Sequence, residues 1–308
     1  ARLVRRERRE WKLLLERSTQ FPSSPSRTRL AVLGSPIAHS LSPAIHRAAY
    51  ETLGFDWEYD AIELSGESLP AFLSALDGRW RGLSLTMPLK RDVVSLLDWA
   101  DPLVELVGGA NTVVVSDDGL RGFNTDVEGA MRSILDAGLS ELRAVWILGA
   151  GATAASLLVA AIRMGASTIT VFARTPSKAS PLQELGESLG ATVIVRQWRE
   201  AAEISEPPTV IITTVPGGAM DLKFALSVRE AAALFDVAYD PWPSAVAQSW
   251  FDAGGTVISG HDLLVNQAIA QVRIFASGVA DVPLSREADA IDAMRRAVSE
   301  QPQAHETS

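Results

Sequence analysis

From Arg29 onward, short apolar runs alternate with segments whose apolar positions recur at helical spacing. Leu30–Leu33, Trp57–Ile62 and Gly82–Leu85 read as strands, and Pro43–Leu53, Leu69–Leu76 and Arg91–Leu97 as helices. Ser42 is expected to N-cap the first helix, with Pro43 at its first position and Gly54 past its end, and Ser68 to cap the second. Val113–Val115 and Leu120–Phe123 flank Ser116-Asp117-Asp118-Gly119, the signature of a hairpin. A second set follows Asp126. Val127–Ala137 and Ala154–Met164 read as helices, and Val145–Leu148, Thr168–Phe172, Thr192–Val195, Val210–Thr214, Leu234–Val237 and Thr256–Ser259 as strands. The last strong helical pattern is Leu263–Phe275. Strand and helix in alternation predict an α/β protein with a parallel sheet covered on both faces. The pattern divides into two α/β domains, 29–125 with 261–300 and 126–260, the final helices returning to the first. A cleft between them is the expected ligand location.

A chain of 308 residues suits two domains with ample core. No apolar run reaches the ~18 residues needed to span a bilayer, so no membrane partner is expected. The net charge of −9 argues against nucleic acid as a partner. The absence of cysteine excludes disulfides, thiolate metal sites and thiol catalysis, and fits a reducing cytoplasm. Residues 1–28 differ: arginines crowd around Trp11 and Leu13-Leu14-Leu15, followed by a stretch rich in serine, proline and threonine. They read as a solvated extension, with a partner contact as the alternative. Their apolar stretch is too short and interrupted for a secretory core region.

The clearest chemical motif is Gly149-Ala150-Gly151-Ala152-Thr153-Ala154, between a predicted strand and a predicted helix. Gly149 permits the tight turn, Gly151 lets the backbone approach a pyrophosphate, and Ala154 allows close helix–strand packing. The helix start offers unpaired N–H groups to the phosphates. The next strand end, Ala173-Arg174-Thr175-Pro176-Ser177-Lys178, carries no acid to accept from a ribose 2′-hydroxyl. Arg174, assisted by Thr175 and Lys178, instead suits a 2′-phosphate and hence NADP. An exposed loop arginine is the plainer reading.

Four further groups gain meaning together. Ser40 and Ser42 flank a helix start, where hydroxyls and backbone N–H groups can bind a carboxylate. Lys90 opens a helix just after a strand, where a solvated charge is equally at home. Asn111-Thr112 and Asn124-Thr125-Asp126 lie where strands meet loops. A lysine and an aspartate over one carbon would suit carbonyl reduction, although a helix-capping role also explains Asp126. His39, His46 and His261 show no metal-ligand spacing, and no metal site is read.

Taken together these motifs resemble the shikimate dehydrogenase family, from about Arg29 to Phe275. Gly34-Ser35-Pro36-Ile37-Ala38-His39-Ser40-Leu41-Ser42-Pro43 is similar to the family's opening signature, and Leu83-Ser84-Leu85-Thr86-Met87-Pro88-Leu89-Lys90 to its lysine segment. The resemblance implies Lys90 and Asp126 as catalytic residues. It implies Ser40, Ser42, Thr86, Asn111, Asp126, Tyr239 and Gln267 as substrate contacts. For the cofactor it implies Gly149, Ala150, Gly151, Ala152, Thr153, Ala173, Arg174, Thr175, Lys178, Val237 and Gly260. It further implies a Rossmann-type NADP domain, reduction of 3-dehydroshikimate to shikimate, and a cytoplasmic monomer or homodimer. The chain departs from the pattern at Ser84-Leu85, at Ala173 and at Leu263, where the family usually has Asn-Val, Asn and Met. An NAD-using quinate/shikimate dehydrogenase and a ligand-sensing paralogue without turnover are the alternatives.

Overall fold

The computed structural model describes residues 28–300 apart from residue 217. The extension expected over residues 1–28 lies, save for Thr28, outside the described residues. Two compact units emerge. One holds the described residues up to Asn124 together with Gln271–Ala297, and the other Thr125–Ala270 and the described residues from Val298 on.

The first unit is built on β1 (Thr28–Gly34), β2 (Trp57–Glu63), β3 (Trp80–Leu85), β4 (Trp99–Ala100), β5 (Thr112–Ser116) and β6 (Gly119–Phe123). Their order is β2-β1-β3-β5-β6-β4. β1 runs parallel to β2 and β3, whereas β5 is antiparallel to both β3 and β6, so the sheet is mixed. The order follows from the sequence. A two-residue turn at Asp117-Asp118 forces β5 and β6 into a hairpin, while the helical segments after β1 and β2 allow parallel returns. Leu33, Phe72, Leu85, Leu89 and Val113 fill one face of this sheet and are buried. Helix Gly260–Ser277 continues into this unit, where Arg81 Nε donates to the Phe275 carbonyl at 2.6 Å. A Cβ at Gly82 would lie 2.4 Å from the Phe275 ring, so Gly82 is what allows that close approach.

The second unit is a parallel sheet of β7 (Ala144–Leu148), β8 (Thr168–Ala173), β9 (Thr192–Gln197), β10 (Val210–Thr213), β11 (Ala233–Asp236) and β12 (Val257–Ser259). The order β12-β11-β10-β7-β8-β9 reverses direction between β7 and β10. This is the doubly wound Rossmann arrangement, and its ligand position is the crevice outside the strand ends at the reversal. β10 and β11 are buried along their whole length, as strands covered on both faces must be.

Three local expectations are corrected. Ser42 is the first residue of helix Ser42–Leu53, Leu41 holds the cap position, and the Ser42 hydroxyl caps nothing. Instead the Ser40 hydroxyl oxygen accepts from the Ser42 N–H at 3.3 Å. Ser68 closes a short 3-10 turn ahead of helix Leu69–Ser74, and its side chain makes no capping bond. The helix expected over Arg91–Leu97 is only Leu89–Asp92 followed by the 3-10 turn Val94–Leu96. The β-branched Val93-Val94 pair weakens the helix. Asp98 then pulls the chain into the sheet, its N–H donating to the Leu120 carbonyl and its carboxylate accepting from the Leu120 N–H. Helix Pro102–Val107 was not anticipated. Asp101 caps it by accepting from the Leu103 N–H at 2.8 Å, and Gly108 ends it with φ 66°.

Fully buried His46 couples this fold to pH. Desolvation lowers its pKa from 6.5 to about 3, against a smaller raising effect of its bond to Gln271. The unfolded chain therefore binds the proton more readily between those values. The stability His46 confers is complete above pH 6.5 and is lost towards about 3, at ~1.4 kcal/mol per pH unit well below 6.5. Urea denaturation across that window is expected to give a clearly flatter slope for His46→Asn than for the natural chain. Parallel slopes would place the pH sensitivity elsewhere.

Candidate active site

In the first unit, the ends of β1, β3 and β6 and the start of β5 lie on one edge of the sheet. Every segment bearing a candidate residue in this unit leaves from that edge. The loop after β1 carries Ser40 and Ser42, and the loop after β3 carries Thr86 and Lys90. The two loops are tied by the Ser35 N–H donating to the Met87 carbonyl and the Thr86 N–H donating to the Leu33 carbonyl, both at 2.9 Å. Gly34 makes this possible, since a Cβ there would sit 2.4 Å from Thr86 Cγ2 and 2.9 Å from the Met87 oxygen. Asn111 precedes β5, with its carbonyl accepting from the Leu85 N–H at 2.8 Å. The Lys90 carbonyl accepts from the Ala110 N–H at 2.8 Å, fixing the start of the lysine's helix beside Asn111. Asn124 Nδ2 donates to the Gly109 carbonyl at 2.9 Å and closes the edge. Hydroxyl, amide and ammonium groups thus share one rim, a set able to hold a small anion bearing hydroxyl groups.

Beneath that rim is a buried polar layer that the sequence reading missed. Gln271 Nε2 donates to the Asn111 carbonyl and to Thr112 Oγ1, each at 3.0 Å. Its Oε1 accepts from Ser84 at 2.9 Å and lies 3.1 Å from His46 Nε2. Tyr59 donates to Ser84 at 2.6 Å and its ring stacks on His46. The available signal was the four-residue spacing of Gln267 and Gln271, which puts both on one face of their helix.

In the second unit, the glycine loop follows β7. Gly149 has φ 118°, and a Cβ there would lie 2.3 Å from Thr214 Oγ1, so no other residue suits the turn. Gly151 faces open space at the start of helix Ala152–Arg163, whose first turn, with Ala152 and Thr153, holds no acidic residue. Ala150 lies between the two glycines, and Ala154 is fully buried. The loop and helix start therefore fit a dinucleotide pyrophosphate. At the end of β8, Ala173 is buried while Arg174, Thr175 and Lys178 are exposed. Arg174 Nη2 donates to the Ala219 carbonyl at 2.8 Å, and its guanidinium centre lies 5.5 Å from the Trp198 ring. Trp198 is itself held by Asp221, which accepts from its indole N–H at 2.6 Å. Nothing in the local sequence pointed to Trp198.

At the ends of β11 and β12 the Val237 and Gly260 backbones touch, because a Cβ on Gly260 would lie 2.4 Å from the Val237 oxygen. The loop carrying Tyr239 is anchored by Asp236, whose carboxylate accepts from the Ser244 hydroxyl and the Ala238 N–H. Burial raises the Asp236 pKa, and burial followed by the nearby Asp240 raises that of Tyr239. Asp126 is the buried first residue of helix Asp126–Asp136, where Thr125 holds the cap position. Gln267 packs on that helix at Gly129, where a Cβ would lie 2.8 Å from its backbone nitrogen. Its side chain donates to the Leu264 carbonyl at 2.9 Å and accepts from Thr125 at 3.4 Å. Ser40, Ser42, Thr86, Lys90 and Asn111 therefore share the first unit, and Asp126, Tyr239, Gln267 and the candidate cofactor residues the second. Among the described residues no helix is long and apolar enough to cross a membrane.

Comparison with known proteins extends these observations. Residues 32–113 match the model of the shikimate dehydrogenase substrate binding domain. An NADP(+) shikimate dehydrogenase of Thermus thermophilus is 32% identical, the match covering 88% of this chain and 98% of that one. One from Methanococcoides burtonii is 34% identical over 80% and 91% respectively. Among solved structures, Mycobacterium tuberculosis shikimate dehydrogenase is 34% identical with a TM-score of 0.76, covering 89% of this chain and all of that one (100%). A Thermus thermophilus shikimate 5-dehydrogenase in complex with NADP(H) and shikimate is 30% identical with a TM-score of 0.73, covering 87% and 99%.

Proposed function

Since the chain belongs to the shikimate dehydrogenase family, we propose that it interconverts 3-dehydroshikimate and shikimate with NADP(H). It is an NADP-dependent oxidoreductase that binds a small-molecule substrate. The observation that carries the substrate reading is the single sheet edge on which Ser40, Ser42, Thr86, Lys90 and Asn111 meet. Its hydroxyls and helix start suit a carboxylate, and its amide and ammonium groups suit ring hydroxyls and a carbonyl. Gly149, Ala150, Gly151, Ala152 and Thr153 would hold the pyrophosphate. Arg174, Thr175 and Lys178 would hold the 2′-phosphate, with Ala173, Val237 and Gly260 lining the remainder. Bound NADPH supplies the hydride.

Lys90 is assigned to polarise the substrate carbonyl and give its proton to the oxygen that becomes the hydroxyl. Asp126 is assigned to accept a hydrogen bond from that hydroxyl and orient it. Thr86, Tyr239 and Gln267 are assigned to the substrate's remaining polar groups. The reading includes a cytoplasmic enzyme acting as a monomer or homodimer. An absorbance assay for NADPH, with shikimate or quinate and NADP+ or NAD+, tests it. Turnover of shikimate with NADP+ is expected. A preference for NAD+ and quinate would move the chain to the quinate/shikimate branch, and binding without turnover would make it a sensor.

Ser40→Ala and Ser42→Ala are each expected to raise KM for shikimate by roughly 10- to 150-fold, the value of one hydrogen bond to a charged group. KM for NADP+ should not move. Because the Ser42 hydroxyl caps nothing, Ser42→Ala should leave Tm almost unchanged. Unaltered KM for shikimate in both variants would put the carboxylate elsewhere.

A further inference from the structure

We propose that Gln271 and Thr112 are positioning residues that hold the Asn111 amide with its nitrogen presented as donor to a substrate hydroxyl. This rests on reading the sheet edge as the substrate site. Asn111 and Thr112 are 1% and 0% exposed and Gln271 2%, so water does not compete for these bonds.

The hydrogen positions follow from chemistry. The Asn111 carbonyl can only accept, so the Gln271 nitrogen must face it. Gln271 Oε1 then only accepts. His46 therefore carries its proton on Nε2, and Ser84 spends its single proton on Gln271. Tyr59 must donate to Ser84, and Tyr50 to His46 Nδ1 at 3.1 Å. A neutral His46 is required throughout, and its burial keeps it so. At the other end Thr112 Oγ1 receives the Gln271 proton, which sends the Thr112 proton to Asn111 Oδ1 at 2.8 Å. Turning the Asn111 amide over would set its NH2 against that hydroxyl and take the acceptor from the Thr112 proton. The two tyrosines, the histidine, the serine and the glutamine thus impose one orientation on an amide at the rim. That amide is selective for a hydroxyl oxygen that accepts.

Steady-state kinetics of Thr112→Val and Thr112→Ser tests the proposal. Valine keeps the shape and loses the hydroxyl, whereas serine keeps the hydroxyl and loses a methyl group. Thr112→Val is expected to raise KM for shikimate about 3- to 10-fold, the worth of one neutral hydrogen bond, with KM for NADP+ unchanged. Thr112→Ser should stay within about twofold of the natural chain on the same scale. A serine variant as impaired as the valine variant, or a valine variant with natural KM, would mean that Thr112 only packs. Gln271→Met, which keeps length and removes the amide, should repeat the valine signature and serves if Thr112→Val does not fold. If the natural chain itself fails to turn over shikimate, the proposed function falls, and the positioning role is judged by nuclear magnetic resonance. Loss of the Thr112 hydroxyl should shift and broaden the Asn111 side-chain amide signals, and unchanged signals would overturn it.

Discussion

Lys90→Ala is expected to lower kcat for shikimate oxidation by about 10²–10⁴-fold, the usual range for a removed general acid–base group. KM for both substrates should change little. The argument starts from the backbone. Lys90 is held by its carbonyl's bond to the Ala110 N–H and by the adjacent Leu89, which is fully buried. Neither depends on the lysine side chain, and alanine is a good helix former. The variant should therefore fold and bind NADP+ normally, losing the group proposed to move a proton at the reacting oxygen. Lys90→Arg separates the two contributions. It restores the positive charge but yields no proton near neutral pH, so kcat should stay nearly as low as in Lys90→Ala. A near-natural kcat in Lys90→Ala would remove this residue from the mechanism and leave its position on the rim as electrostatics alone.

The second large effect is expected at the cofactor. Arg174→Ala should raise KM for NADP+ by roughly 10- to 150-fold, equivalent to one lost charge-assisted contact of about 1.5–3 kcal/mol. Activity with NAD+ should hardly change, because that cofactor has no 2′-phosphate to lose. The geometry supports a formed site. Arg174 already rests near the Trp198 ring with one nitrogen on the Ala219 carbonyl, so part of its rotamer freedom is spent before any ligand arrives. Four of its five N–H donors point elsewhere than that bond. The comparison needs kcat/KM for both cofactors in both proteins. Equal losses with the two would show that Arg174 merely supports its loop.

The glycine loop was legible because everything that makes it is local: a strand, a turn only Gly149 can make, and a helix start. The hairpin at Ser116–Gly119 was legible for the same reason, its turn being written in four adjacent residues. Helix Pro102–Val107 escaped because six residues are too few for a helical period to declare itself, although Asp101-Pro102 and Gly108 mark its two ends. The capping role of Ser42 was misread because Ser40, two residues earlier, supplies the oxygen that the helix start uses. Gln271 and Trp198 were hidden for a deeper reason. Gln271 meets Asn111 across 160 residues, and Trp198 lies under Arg174 only because β8 and β9 pair. Such partners depend on sheet order, which no local pattern contains. The proposed substrate rim stands between these cases. Its motifs can be read one by one, but their meeting on one edge requires that β5 run against β3.

That antiparallel hairpin also decides where this protein can be engineered. β5 starts at the proposed substrate rim and ends four residues later at the turn Ser116–Gly119, so the turn lies about 14 Å away along the strand. Asp117 and Asp118 are exposed there, and the turn is closed by the Ser116 hydroxyl on the Gly119 carbonyl. Lengthening a surface loop costs little, each doubling adding about 0.6 kcal/mol. An affinity tag, a fluorophore or a tether to a solid support belongs at this turn, where it meets bulk solvent and leaves the opposite edge of the sheet to the chemistry.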